Sequence, residues 1–237
     1  MLELLSFGDQ GWGDEMLLAG LMTILVSFSS VCLGLFIGVI LASFKLSKSR
    51  ILRFIAEIYT TVVRGVPELL VIYLQFFGGS SAVMYFAKIF GYDGYIELNA
   101  FTIGTFAVGA ISGAYSTEVI RGAILAVPKG QFEAGETLGM SKFQMNLRVI
   151  FPQVARLALP GIGNVWQITL KDTSLISVTA LVEIMRQAKV AAASEHEPFV
   201  FYTTAILLYL LITTGSNKFF NSAEKRFSKG FVVEEST

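Results

Sequence analysis

An acid in the middle of an apolar stretch must find a positive charge, and Asp172 is such an acid. It lies in the run from about residue 157 to 180, which also carries Asn164, Gln167, Thr169, Lys171, Thr173, Ser174, Ser177 and Thr179. Adjacent residues of a helix point ~100° apart, so Lys171 and Asp172 belong to different faces. One stripe is Asn164, Gln167, Lys171 and Ser174, and the other is Val165, Thr169, Asp172 and Ile176. Two partners fit Asp172: a permanent cation, such as Arg64 or a charge on a neighbouring subunit, or a cationic solute met in passing. A second polar group is Arg64-Gly65-Val66-Pro67-Glu68, inside another apolar run. Proline removes a helix donor and glycine loosens the turn before it. Arg64 and Glu68, one turn apart, have the spacing of a helix-surface ion pair. A kink held by that pair and a direct contact with a solute are both open. The candidate solute-contacting residues are therefore Arg64, Glu68, Thr169, Lys171, Asp172 and Ser174.

Other chemistries are poorly supplied. The single cysteine, Cys32, lies in an apolar run and is expected as a small buried residue, with no disulfide framework around it. The single histidine, His196, between Glu195 and Glu197, is expected to be solvated. No metal site and no cofactor site is expected. A membrane-embedded enzyme would need a cluster of His, paired Asp or a Ser-Lys site; a channel or scaffold would not need a structured loop. These remain the alternatives to a transport subunit.

The elements that must position these residues are membrane helices. The 237 residues are 54% hydrophobic and only 15% charged, where a soluble domain has about 25% charged residues. The expected fold is all-α and integral to the membrane, one domain with five spans at about 17–44, 51–78, 100–120, 157–180 and 199–219. Each is long enough for the ~30 Å hydrocarbon core, some with tilt. Gly34 and Gly38, and Gly109 and Gly113, are small residues four apart, which permit close helix approach. The stretch ahead of the first run holds Glu3 and Asp9 and no Lys or Arg, so that run is expected as a retained helix. Residues 78–98 and 181–198 are expected as connections, the former with an amphipathic turn around Met84 to Phe90 and the latter with a helical, half-polar pattern that holds Glu183, Arg186 and Lys189.

Thirteen of the 18 Lys and Arg lie in residues 45–53, 121–156 and 218–229, against Lys88, Arg186 and Lys189 on the opposite side. The basic side is cytoplasmic by that bias, which puts the N-terminus outside and the C-terminus in the cytoplasm.

Residues 121–156 form a long basic connection with structure of its own. Pro128-Lys129-Gly130 is a turn, Gln131 to Leu138 a short helix, and Gly139 a break. Ser141 and Gln144 have capping-box spacing, and the second helix is expected to stop near Ile150, before Pro152. Such a helix-turn-helix either lies on lipid or docks a soluble partner.

The order Glu133-Ala134-Gly135, then Gly139, then Val149-Ile150-Phe151-Pro152 resembles the EAA loop of permease subunits of bacterial ABC importers. Gly135, Val149 and Phe151 depart from that pattern while staying small or apolar; Gly135 in place of alanine costs the helix about 1 kcal/mol. Arg64-Gly65-Val66-Pro67, Glu118-x-x-Arg121-Gly122, residues 127–131, 159–164 and 170–175 resemble the polar amino acid branch, and within it the octopine and nopaline permease subunits. The resemblance implies a type I ABC importer permease in the bacterial inner membrane, a non-catalytic subunit. Consistent with this, the chain has no Gly-x-x-x-x-Gly-Lys-Ser/Thr phosphate loop. ATP and Mg would be bound by a partner ATP-binding cassette subunit. That subunit would dock on Gln131, Glu133, Ala134, Gly135, Gly139 and Pro152. A second, similar but distinct permease chain, a periplasmic solute-binding protein, an amino acid or opine and membrane lipid complete the implied partners; nucleic acid is not among them. In this setting the cation that Asp172 meets would be a cationic or zwitterionic amino acid.

Overall fold

The computed structural model describes residues 3–8, 11–92, 94, 99–179 and 181–227. Asp9, Asp93, Glu97, Lys229 and residues 234–237 lie outside them, as does the last residue of the expected fourth span. Among the described residues every regular element is helical.

The first long helix, α1, is Gly13–Lys45. Next come α2 (Arg50–Gly65), α3 (Glu68–Tyr73) and α4 (Gly79–Ile89), the last two joined through a wide π turn at Leu74–Gly78. The central helix α5 is Ala100–Ala126, and the short α6 is Lys129–Thr137. Helix α7 (Lys142–Met145) passes through a π turn at Asn146–Ile150 into α8 (Phe151–Asp172), which tightens into a 3-10 segment at Thr173–Thr179. Helices α9 (Ile184–Glu195) and α10 (Pro198–Phe227) end the described chain. Three stretches are long and apolar enough to cross a membrane by length and composition: α1, Glu68–Ile89 and α10.

Several helix boundaries differ from the sequence expectation. The kink expected at residues 64–68 is a full break, with Val66 extended (φ −105°, ψ 143°) ahead of Pro67, so the run 51–78 is two helices. The helix that begins at Glu68 then continues to Ile89, through residues expected to be a connection. The hairpin's second helix does not stop at Ile150: the Phe151 amide reaches back five residues to Asn146, and this wide turn lets Pro152 sit in the first turn of α8. Pro160 likewise lies inside α8. Finally, α10 runs on to Phe227, so Lys225 and Arg226 are its last turn and not a tail.

Helix α5 lies at the centre, with α1 alongside it and α8, α2 and α3 packed around it. The α1–α5 contact is built from the small residues that the sequence marks. A Cβ on Gly34 would stand 2.5 Å from Ser112 Oγ, and one on Gly38 would stand 2.7 Å from Ser116 Cβ. From the other side, a Cβ on Gly109 would meet Leu33 and one on Gly113 would meet Ile37. Lipid tails are as apolar as leucine, so membrane helices gain by packing closely and not by leaving the solvent. Ser30 Oγ adds a hydrogen bond to the Thr105 carbonyl across this contact, at 3.2 Å.

The connection expected over 181–198 is a packed helix. Ile184, Ala188 and Ala191 of α9 are fully buried with Met16 of α1 and Phe201 of α10. At its start Glu183 is 0% exposed. Its carboxylate caps α9, accepting the amides of Met185 (2.8 Å) and Arg186 (2.7 Å), and it also accepts the Tyr209 hydroxyl at 3.0 Å. His196 ends α9 in the left-handed conformation (φ 57°) and is exposed, as expected. Cys32 is exposed and not buried, since an apolar side chain on a membrane helix has no need of the interior.

Candidate functional site

The break between α2 and α3 decides the geometry of the polar cluster. Arg64 ends the last turn of α2 and Glu68 opens the first turn of α3. The spacing that pairs residues four apart holds only within one helix, so the expected Arg64–Glu68 ion pair is not among those formed by the described residues. Tyr115 of α5 joins them instead. Its hydroxyl donates to Glu68 Oε1 at 3.2 Å, and the Arg64 guanidinium carbon lies 5.5 Å from its ring centroid. Asp172 is the last residue of α8. The charges that act on it are those of Glu68 and Lys171, and its own charge reaches Tyr115. The structure therefore brings Arg64 and Glu68 to Tyr115, with Asp172 within electrostatic reach of Glu68 and Tyr115.

The remaining candidates divide by face. Val165, Thr169 and Ile176 are buried on the stripe of Asp172, which is itself half-buried. Lys171 is exposed on the other stripe, and Ser174 donates its hydroxyl to the Lys171 carbonyl at 2.7 Å. Thr169 is 1% exposed and turned into the helix packing.

A polar cavity of about 580 Å³ opens beside the cluster and includes Arg64 in its wall. Lys45 lines it too, its side chain only 7% exposed, bridging Glu57 (3.3 Å) and Glu118. Glu118 also pairs with Arg121 at 2.9 Å, the pair expected from their spacing. This network ties the end of α1 to α2 and to the end of α5. Glu118 and Arg64 thus line one polar cavity, and Arg64 also faces Tyr115 of the cluster.

The hairpin of α6 and α7 has the parts that its sequence specifies. Gly139 turns it at φ 71°, and Ser141 and Gln144 form the reciprocal capping box. Val127, Met145 and Ile150 make a small core of its own. Gly135 is buried there, and a Cβ on it would stand 2.9 Å from Met145 Sδ. Gln131, Glu133, Ala134, Gly139 and Pro152 are exposed. Gln153 of α8 donates to Gln131 Oε1 at 3.2 Å, so α6 is tied to the helix that ends at Asp172.

Residues 34–228 match the family model described as binding-protein-dependent transport system inner membrane component. The chain belongs to this family. It is 52% identical over 230 residues to the nopaline transport system permease protein of Agrobacterium fabrum, covering 97% of this chain and 98% of that protein. It is 40% identical over 220 residues to the histidine/lysine/arginine/ornithine transport system permease protein of Escherichia coli, covering 93% and 96%. Among solved structures it matches one described as an amino acid ABC transporter with histidines, at 29% identity and a TM-score of 0.76 over 91% of this chain and 95% of that one.

The chain is thus an inner-membrane transport component and not an enzyme. As a permease of the ABC importer class it works with a separate ATPase. Sequence reasoning passed over two residues of this transport component's polar groups. Tyr115 carried a signal, since it is a phenol three residues before Glu118 in a helix otherwise rich in Gly and Ala. Glu183 carried none, because its burial depends on α1, α9 and α10 meeting.

Proposed function

We propose that this chain is the permease subunit of an ATP-driven importer for cationic amino acids or opines, and that Asp172 with Glu68, Tyr115 and Arg64 touches the solute. The reading rests on one observation: a half-buried carboxylate, beside a second carboxylate, with no ion pair among the described residues. Two acids within electrostatic reach of one another call for a cation, and an amino acid with a basic side chain supplies it. Arg64, held over the Tyr115 ring, is placed to meet the carboxylate end of the same solute. Relatives that transport nopaline or histidine, lysine, arginine and ornithine support this substrate class.

The five spans in this reading are α1, Glu68–Ile89, α5, α8 with its 3-10 segment, and α10, with the N-terminus outside and the C-terminus in the cytoplasm. Residues 129–152 are then the ATPase docking element, through Gln131, Glu133, Ala134, Gly135, Gly139 and Pro152. From Lys142 to Asp172 the chain is helical without interruption, roughly 45 Å at ~1.5 Å per residue. A push on the hairpin therefore moves the end that carries Asp172. A second permease chain, distinct from this one, faces the polar cluster across the solute path, and a solute-binding protein delivers from outside.

The test is Asp172→Asn, read by uptake and by assembly. The substitution is expected to abolish uptake while the ATPase subunit still copurifies with the permease. Uptake at the wild-type rate would remove Asp172 from the solute path.

A further inference from the structure

Helix α2 carries Arg64 and is joined to its neighbours through extended backbone at both ends, at Ser49 (ψ 120°) and at Val66 (ψ 143°). No helix runs into it from either side, so its position is set by what its side chains hold. Ile51, Phe54, Ile55, Ile58 and Val62 are exposed, and its buried residues are Ala56 and Thr60. Helices α1 and α5, by contrast, are locked together at Gly34, Gly38, Gly109 and Gly113.

Lys45 ties α2 to that pair. It is the last residue of α1, where the carbonyl end of the helix also favours a cation. Its ammonium bridges Glu57 of α2, at 3.3 Å, and Glu118 of α5. Glu118 holds Arg121 as well, so the charges alternate in sign from α2 to the end of α5. Glu57 and Arg64 are seven residues apart, so they share one face of α2 at ~10 Å along it, and both line the polar cavity. Tyr115 and Glu118 are one turn apart on α5. Arg64 over Tyr115, and Glu57 joined through Lys45 to Glu118, are therefore two rungs between the same two helices.

We propose that Lys45 is a positioning residue of the solute site: by holding Glu57 to Glu118 it keeps α2 against α5, and so keeps Arg64 over the Tyr115 ring. Without the ammonium the two carboxylates repel, and α2 swings about Val66 and carries Arg64 away. Desolvation offsets much of the attraction in a buried ion pair, so such a group fixes an arrangement more than it stabilises the fold. Glu118 keeps Arg121, and the Glu57 side chain is 67% exposed, so neither carboxylate is stranded when Lys45 loses its charge. The inference rests on the reading that Arg64 touches the solute.

The test is a double-mutant cycle in the complete complex, read by initial uptake of labelled arginine and nopaline into proteoliposomes at low concentration. Lys45→Met keeps the stem and removes the charge, and it is expected to lower uptake roughly tenfold, the size of a strong coupling within one network. Lys45→Arg, which keeps the charge, is expected to retain most of the uptake. In an Arg64→Gln background Lys45→Met is expected to cost nothing further, because the group that it positions is gone. A lysine that only supports the fold would lower uptake by the same factor in both backgrounds. That result overturns the proposal, as does wild-type uptake by Lys45→Met. Wild-type uptake by Arg64→Gln overturns the solute contact of Arg64 and this proposal with it. Where Lys45→Met fails to assemble with the ATPase subunit, Glu57→Gln takes its place, since it cuts only the tie to α2. A second readout needs no solute: the distance between spin labels on the exposed Ile58 of α2 and Leu125 of α5, in a Cys32→Ala background. It decides the matter where Arg64→Gln alone leaves no measurable uptake. The distance is expected to lengthen in Lys45→Met and Glu57→Gln and not in Lys45→Arg; an unchanged distance overturns the proposal.

Discussion

Tyr115 holds the polar cluster together at the scale of single residues. Its hydroxyl and its ring do separate jobs: one donates to Glu68 and the other faces Arg64. Tyr115→Phe keeps the ring and removes the donor. A hydrogen bond to a charged group contributes about 1.5–3 kcal/mol, and 1.4 kcal/mol is tenfold, so uptake at low solute concentration is expected to fall roughly tenfold. Tyr115→Ala also loses the surface beneath Arg64, worth a further ~0.5–1 kcal/mol, and is expected to be worse still. Initial rates measured over a range of solute concentrations separate the two. Equal rates for both variants and the wild type would mean that Tyr115 only fills space.

Among the elements, the α1–α5 contact and the start of α9 carry the clearest consequences. A Cβ on Gly34 would meet Ser112 Oγ at 2.5 Å and the Gly113 amide nitrogen at 3.0 Å, whereas one on Gly20 of the same helix meets nothing within 4 Å. Alanine is the better helix former by about 1 kcal/mol, so Gly20→Ala is expected to be neutral or stabilising. Gly34→Ala must push the helices apart and is expected to lower the melting temperature of the purified complex. Equal melting of the two variants would argue against the close approach. Glu183 gives a pH dependence. It lies between the fourth and fifth proposed spans, and burial pushes its carboxyl above the usual carboxylate range, more than its hydrogen bonds pull it down. The folded state therefore holds this proton more tightly than the unfolded state. The stability it contributes is complete below the ordinary carboxylate range and is lost as pH rises through the raised folded value. Glu183→Gln is expected to make the melting temperature fall less steeply with pH over that window; an unchanged slope would contradict this.

The same elements show what could be read from the sequence. Gly34, Gly38, Gly109 and Gly113 declare a close contact by spacing alone, because only small residues let helix backbones approach. The capping box at Ser141 and the turn at Gly139 are equally local, and both are present. Arg64 and Glu68 misled because the pairing rule presumes an unbroken helix, and Pro67 breaks it. Pro152 misled in the opposite direction, since a wide turn just before it keeps the helix going. The burial of Glu183 and the exposure of Cys32 depend on which helices surround them, and no local pattern records that.

At the scale of the whole molecule, the central claim is that force enters at the hairpin and acts at the polar cluster. The continuous helix from Lys142 to Asp172 and the Gln153–Gln131 hydrogen bond provide the connection. Glu133 is exposed on the hairpin and does not contribute to its small core, so Glu133→Lys reverses a charge on the proposed docking face without removing a core residue. The most direct measurement is uptake of labelled arginine, histidine, octopine and nopaline by proteoliposomes that hold the complete complex, with ATP inside and the solute-binding protein outside. The account expects ATP-dependent accumulation of at least one of these solutes by the wild type, and its loss in Glu133→Lys together with loss of ATPase recruitment. Solute flux that needs neither ATP nor the ATPase subunit, with Glu133→Lys as active as the wild type, would contradict it.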